Sequence, residues 1–114
     1  MRKLHYAGGY VLIADQTCKA LLRYARALAR SVESDVVTIP VINEEGSRGY
    51  GHLLIGPSSM MFSTPVANAA QEPLDDRIVA ELERRTAELQ PTRPEWPDEM
   101  TDIAALPFDF EFGI

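Results

Sequence analysis

The chain has 114 residues, of which 46% are hydrophobic and 25% are charged, and its formal net charge is −6. These values fit one ordinary globular domain and exclude collagen, coiled-coil and disordered chains. Residues 1–70 hold seven Lys/Arg and five Asp/Glu, a balance of +2, whereas residues 71–114 hold four and twelve, a balance of −8. An acidic chain is not typical of nucleic-acid-binding proteins, because they gain affinity by neutralising phosphates.

Short β-branched and aromatic stretches predict five strands, and two amphipathic stretches predict helices. The predicted elements are, in chain order, strands over residues 2–6 and 10–14, a helix over 16–32, strands over 35–42, 50–56 and 60–64, and a helix over 75–89. This ββαβββα order indicates an α+β domain with a mainly antiparallel sheet and both helices on one face. We expect its core to include Leu21, Leu28, Ile78 and Leu82.

Local residue chemistry predicts how these elements begin, turn and pair. Gly8 and Gly9 can supply the positive φ of a tight hairpin, and a loop around Gly46 predicts a second hairpin. Asp15 stands before the first helix, where its carboxylate can accept hydrogen bonds from first-turn N–H groups. Pro40 cannot donate to a ladder, so we expect its strand to lie at a sheet edge or to carry a bulge.

The chain divides at about residue 90 into a core domain, residues 1–90, and a proline-rich acidic linker with a strand-like tail, residues 91–114. In the tail, apolar side chains occupy every second position, and an extended backbone would place them on one face. These side chains are Phe108, Phe110, Phe112 and Ile114. We expect the tail to pair with a sheet edge, either its own or that of a second subunit.

Basic side chains recur along the first helix at intervals of four, three and four residues, which places them within about 60° of arc. This basic stripe consists of Lys19, Arg23, Arg26 and Arg30. Three interpretations stay open: an ordinary solvated face, a docking surface for the acidic tail of this or another subunit, and a nucleic-acid site. Trp96 in the linker is a further candidate for partner binding.

The sequence contains no recognisable catalytic constellation. His5 and His52 are the only histidines, and neither has a second metal ligand at a recognisable spacing. We therefore predict no catalytic residue, no metal site and no cofactor. The alternative is a small-ligand or enzymatic site on the open sheet face, where His52, Tyr50 and Arg85 could line a polar pocket, whereas a flat apolar patch would favour assembly.

Cysteine use and hydropathy bear on localisation. Cys18 is the only cysteine, so no intramolecular disulfide can form, and the first helix places it on an apolar face. The apolar run at residues 10–14 is too short for a signal-peptide core or a membrane span. We expect a cytoplasmic protein that does not associate with membranes.

Three segments within residues 1–90 resemble a family of short bacterial proteins that are sometimes labelled ATP-dependent DNA ligase-like. The segments are Lys3-Leu4-His5-Tyr6, Ile13-Ala14-Asp15-Gln16-Thr17 and Leu53-Leu54-Ile55-Gly56-Pro57-Ser58-Ser59. The label implies a covalent nucleotide adduct on the lysine of a Lys-x-Asp-Gly motif. Lys3 and Lys19 are not followed by that motif, so we expect no adenylation. Together these observations predict a non-enzymatic binding or assembly module that associates with itself or with another protein.

Overall fold

A computed structural model describes residues 1–67 and 71–89. Its elements are β1 (Arg2–Tyr6), β2 (Gly9–Ile13), α1 (Asp15–Ser31), β3 (Asp35–Ile42), β4 (Arg48–Ile55), β5 (Met61–Pro65) and α2 (Asp76–Leu89). The predicted ββαβββα order and α+β class are confirmed, and each predicted boundary lies within two residues of the observed one.

The five strands form one antiparallel sheet in the order β4-β3-β2-β1-β5. β1 pairs along its length with β2 on one side and with β5 on the other. β3 and β4 pair along the whole of β3, but β2 pairs with β3 only through Leu12 and Ile42. The sheet therefore consists of two ladders, β2-β1-β5 and β3-β4, which a single residue pair joins.

The sheet curls so that its two edges approach each other. Only residues 56–60 connect β4 to β5, although these strands lie at opposite edges. In a flat sheet β1 and β4 would be about 14 Å apart, since neighbouring strands lie about 4.8 Å apart. The Tyr6 hydroxyl nevertheless donates to the Leu54 carbonyl oxygen.

The core lies between the helices and the inner face of the curled sheet. Both ladders contribute buried side chains to it, among them Leu4, Ile13, Val37, Ile39 and Ile55. The predicted core residues Leu21, Leu28 and Leu82 are buried, whereas Ile78 is partly buried and packs against the core. Both helices thus cover the same face of the sheet, as predicted.

Cys18 is buried in α1, as predicted from its helical position. Burial raises the pKa of its thiol, although a hydrogen bond with Ser63 acts in the opposite direction. A thiol with a raised pKa is poorly ionised and therefore unreactive. None of the helices within the described ranges has the length and apolar character that crossing a bilayer requires.

Two local predictions are wrong. Pro40 lies in β3, which is not an edge strand, and it pairs opposite Tyr50 without a bulge. A proline is tolerated there because β2 pairs with β3 only at Ile42, so most of β3 needs no N–H donors on that side. The N-cap position of α1 is Ala14, without a side-chain cap, and Asp15 is already in the first turn. Its charge there complements the helix dipole.

The two predicted hairpins are confirmed, but the positive φ angles of the first turn belong to Ala7 and Gly8, because Gly9 is already in β2. Gly8 and Gly46 have φ angles of 85° and 89°, the left-handed region that glycine adopts without a steric penalty. In the second loop, the Asn43 side-chain oxygen accepts from the N–H groups of Glu45 and Ser47, at 2.9 and 3.0 Å. This side chain replaces backbone partners and closes the turn between β3 and β4.

Candidate functional site

The outer side of the β3-β4 ladder, opposite the buried side chains of Val37, Ile39, Leu53 and Ile55, carries exposed apolar side chains. Val36 stands opposite Leu54, and their side chains are 55% and 61% exposed. Between them and the exposed Tyr50, a hydroxyl-imidazole pair joins Thr38 Oγ1 to His52 Nδ1 at 3.0 Å. This outer hairpin face, Val36, Thr38, Tyr50, His52 and Leu54, is therefore apolar at its ends and polar in its middle.

The free edge of β4 borders the outer hairpin face. β4 spans eight residues and, among the described residues, no strand pairs with its second side. Natural proteins commonly protect such an edge with lysine, proline or a bulge. β4 contains none of these, and a Cβ added at Gly49 would meet no atom within 4 Å. The Leu54 carbonyl oxygen at one end of this edge accepts from the Tyr6 hydroxyl, and the other edge groups have no strand partner among the described residues.

The three residues of the alternative site do not share a cavity within the described part of the chain. The Tyr50 hydroxyl donates to Asp75 Oδ2 at 3.2 Å, next to the start of α2. His52 contacts Thr38 on the outer hairpin face. Arg85 lines a small cavity between α2 and β3. The three side chains therefore have different neighbours, and the alternative site stays an expectation.

Arg85 instead joins three elements through ion pairs and hydrogen bonds. Its guanidinium donates to Asp35 Oδ2 and to Glu81 Oε2, each at 2.8 Å. The Tyr24 hydroxyl donates to the same Asp35 oxygen at 2.5 Å. The hydrogen bond from Tyr24 lowers the pKa of Asp35, while burial, with the Asp35 carboxylate, raises the pKa of Tyr24 to about 12. This polar junction links α1, β3 and α2. It indicates that Arg85 has a structural role, with its stem on the core and its guanidinium bound to carboxylates.

The basic stripe runs along α1, where Lys19, Arg23 and Arg26 are half-buried and Arg30 is exposed. Its three interpretations remain open. The other predicted partner-binding residues, Trp96, Phe108, Phe110, Phe112 and Ile114, lie outside the described residues. The tail strand therefore stays a prediction.

A cavity of about 870 Å³ lies beside the turn between β1 and β2. Its lining includes Glu44 and the residues His5, Tyr10 and Phe62, which share one face of the paired strands β2, β1 and β5. The His5 and Phe62 rings stack, with centroids 4.2 Å apart and planes 7° from parallel. Sequence reasoning selected His52 and missed this cavity, because its residues come from three separate segments. His5 and Phe62 become neighbours only through the pairing of β1 with β5, a register that the sequence pattern does not specify.

Within the described ranges, no three His, Cys, Asp or Glu side chains are grouped so that they could hold a metal ion. Searches against protein-family models, curated proteins and solved structures find no match for this chain. The resemblance to ligase-like proteins accordingly stays an expectation, and function has to be argued from the surfaces described above.

Proposed function

We propose that this protein is a non-enzymatic binding and assembly module of the cytoplasm that associates with a second copy of itself. The observation that carries this proposal is the edge of β4. It is eight residues long, has no strand partner in the described part of the chain and borders the exposed Leu54 side chain. An unprotected edge of this kind is a template for strand addition.

The proposed occupant of the edge is the predicted tail strand, residues 108–114, of the second copy. An added strand would pair with the backbone groups on the free side of β4. Its four apolar side chains would continue the inner face beside Leu53 and Ile55, both of which are buried. Asp109 and Glu111 would then lie on the outer face. The alternation in the tail therefore supplies apolar side chains for the inner face and charged side chains for the outer face.

The molecular mass in solution tests the proposal. We expect the full chain to be a dimer and Leu54→Lys to be a monomer, because the substitution places a charge at the proposed interface. Leu74→Lys is the matched control, since Leu74 is also an exposed leucine, 45% against 61%, but lies outside the sheet. Deletion of residues 107–114 should also give a monomer.

Three results would contradict the proposal. A full chain that is monomeric contradicts self-association, and a lower melting temperature after the deletion would then place the tail on its own domain. Equal masses for Leu54→Lys and Leu74→Lys would exclude the β4 edge as the interface. A truncated chain with unchanged mass and melting temperature would exclude the tail as the occupant.

A further inference from the structure

We infer that the cavity beside the β1-β2 turn binds a small organic cation with an alkylated ammonium group. This inference goes beyond the proposed assembly function, and the cavity meets the β4 edge only where the Tyr6 hydroxyl donates to the Leu54 carbonyl oxygen. It rests on three observations: the aromatic residues that line the cavity, the negative charge at its rim, and the Lys3 ammonium over the Tyr10 ring.

The walls are apolar and aromatic. Phe62 lies against His5 and is 59% exposed. Tyr10 and Met60 complete the apolar lining, whereas Tyr6 and Met61 border the cavity with their side chains packed against the core. Aromatic faces attract cations through the negative potential above the ring, and alkylated ammonium groups suit them because little water has to be removed from the cation. A volume of about 870 Å³ lies within the usual range for small-molecule sites.

The charge at the rim is negative. Among the described residues, Glu44 is the only charged one that lines the cavity, and the Lys3 ammonium lies outside the lining, over the Tyr10 ring. The Tyr10 N–H donates to Glu44 Oε2 at 3.4 Å, which holds the carboxylate beside the ring. The carboxylate disfavours anions and favours cations at this rim.

The Tyr10 ring already attracts a cation within the protein. The Lys3 ammonium lies 4.1 Å from the centroid of that ring, and Lys3 itself does not line the cavity. A metal ion fits the cavity less well, because hard cations need several oxygen ligands and only one carboxylate lines it. The walls and the charge together therefore select an organic cation rather than a metal or an anion.

Choline and its neutral isostere 3,3-dimethylbutan-1-ol test the inference with the full chain, in an NMR titration. The two molecules have the same shape and differ in the charge of the head group. We expect choline to bind about tenfold more tightly than the isostere, the difference that a cation-aromatic contact supplies. Equal affinities would overturn the inference, because the cavity would then recognise shape and apolar surface alone.

Two pairs of variants locate the site. Glu44→Gln should weaken choline binding about fivefold, whereas Glu45→Gln, in the same loop but outside the cavity lining, should leave it unchanged. Phe62→Leu keeps the apolar bulk, removes the ring face and should also weaken binding. Tyr50→Leu removes an equally exposed ring elsewhere, 58% against 59%, and should not.

Two further results would overturn the inference. The first is the absence of choline binding at millimolar concentration. The second is an equal loss of binding in a cavity variant and in its control. Deletion of residues 107–114 separates this site from the assembly surface, since the shortened chain should be monomeric and still bind choline. If the chain does not self-associate, the choline titration still tests the cavity. If choline does not bind, the mass in solution still tests self-association.

Discussion

The two ladders of the sheet are held in place by different kinds of interaction. In the β2-β1-β5 ladder, β1 has a paired strand on both sides, over five residues each. The β3-β4 ladder is joined to it by only one pair, Leu12 with Ile42. Side chains position the second ladder instead: Val37, Ile39 and Ile55 pack into the common core, and Asp35 binds both helices through the polar junction.

This difference separates the roles of backbone and side chains in the fold. Ladder hydrogen bonds fix the register of neighbouring strands, but they cannot orient a hairpin that barely touches the rest of the sheet. The hairpin depends on packing and on one group of charged side chains. It is also the part of the sheet with the longer free edge and the exposed outer face. Substitutions in the common core, in the connection between β4 and β5 and in the polar junction should therefore lower the free energy of unfolding by different amounts.

The largest loss of stability should follow from a substitution that creates a cavity in the core that both ladders share. Leu28 is 1% exposed and contacts this core, so Leu28→Ala should lower the free energy of unfolding by about 2–5 kcal/mol. Denaturant titration measures the loss, and Leu74→Ala, at an exposed leucine, is the control. A single transition shifted to lower denaturant would show that both ladders unfold together. An unchanged midpoint would be incompatible with a buried Leu28.

The next effect should come from the short connection between β4 and β5. A Cβ added at Gly56 would lie 2.9 Å from the Ser34 Cβ and 3.4 Å from the Glu33 carbonyl oxygen, so the backbone would have to shift. We expect Gly56→Ala to cost about 1–3 kcal/mol, as overpacking usually does. Gly51→Ala is the matched control, because its nearest contact is 3.6 Å, an ordinary separation. Equal melting temperatures for the two variants would contradict the close approach at Gly56.

A smaller loss should follow when the polar junction is weakened. Asp35 is half-buried and binds Tyr24 and Arg85, so Asp35→Asn should cost about 1–2 kcal/mol at neutral pH. Glu33→Gln, an exposed neighbour, is the control. The measurement is thermal or denaturant unfolding of both variants beside the wild type.

The pH dependence of that loss gives a second test. The pKa of Asp35 is lower in the folded protein than its ordinary value of 3.8, so its stabilising contribution is fully present above that value. It is lost as the pH falls through the lowered folded pKa. The difference between wild type and Asp35→Asn should therefore shrink below pH 3.8. A difference that stays constant to lower pH would mean that the carboxylate charge does not contribute.

The smallest expected effect concerns the basic stripe of α1, which belongs to neither ladder. We expect no tight binding of DNA or RNA at physiological salt, because the whole protein is acidic. The substitutions Arg23→Glu and Arg26→Glu should then leave a fluorescence anisotropy titration with labelled oligonucleotides unchanged. Tight binding that these substitutions weaken would establish the nucleic-acid interpretation instead.

The sequence alone determined the elements and much of the core. Strand and helix periodicities act over a few residues, so they located β1 and β3 to the residue and the helices within one residue at each end. The same periodicity identified Leu21, Leu28 and Leu82 as core residues. These properties follow from local patterns, because each depends only on how side chains repeat along one element.

Only the tertiary structure decided how these elements meet. The curl of the sheet and the single pair between β2 and β3 determine which edge is free, and no local pattern specifies either. The partner of Arg85 is Asp35, fifty residues away in the chain. The aromatic cavity brings together His5, Glu44 and Phe62 from three segments. Contacts at such separations form because the shared core fixes where each element lies. The spacing of residues along the chain does not predict that geometry.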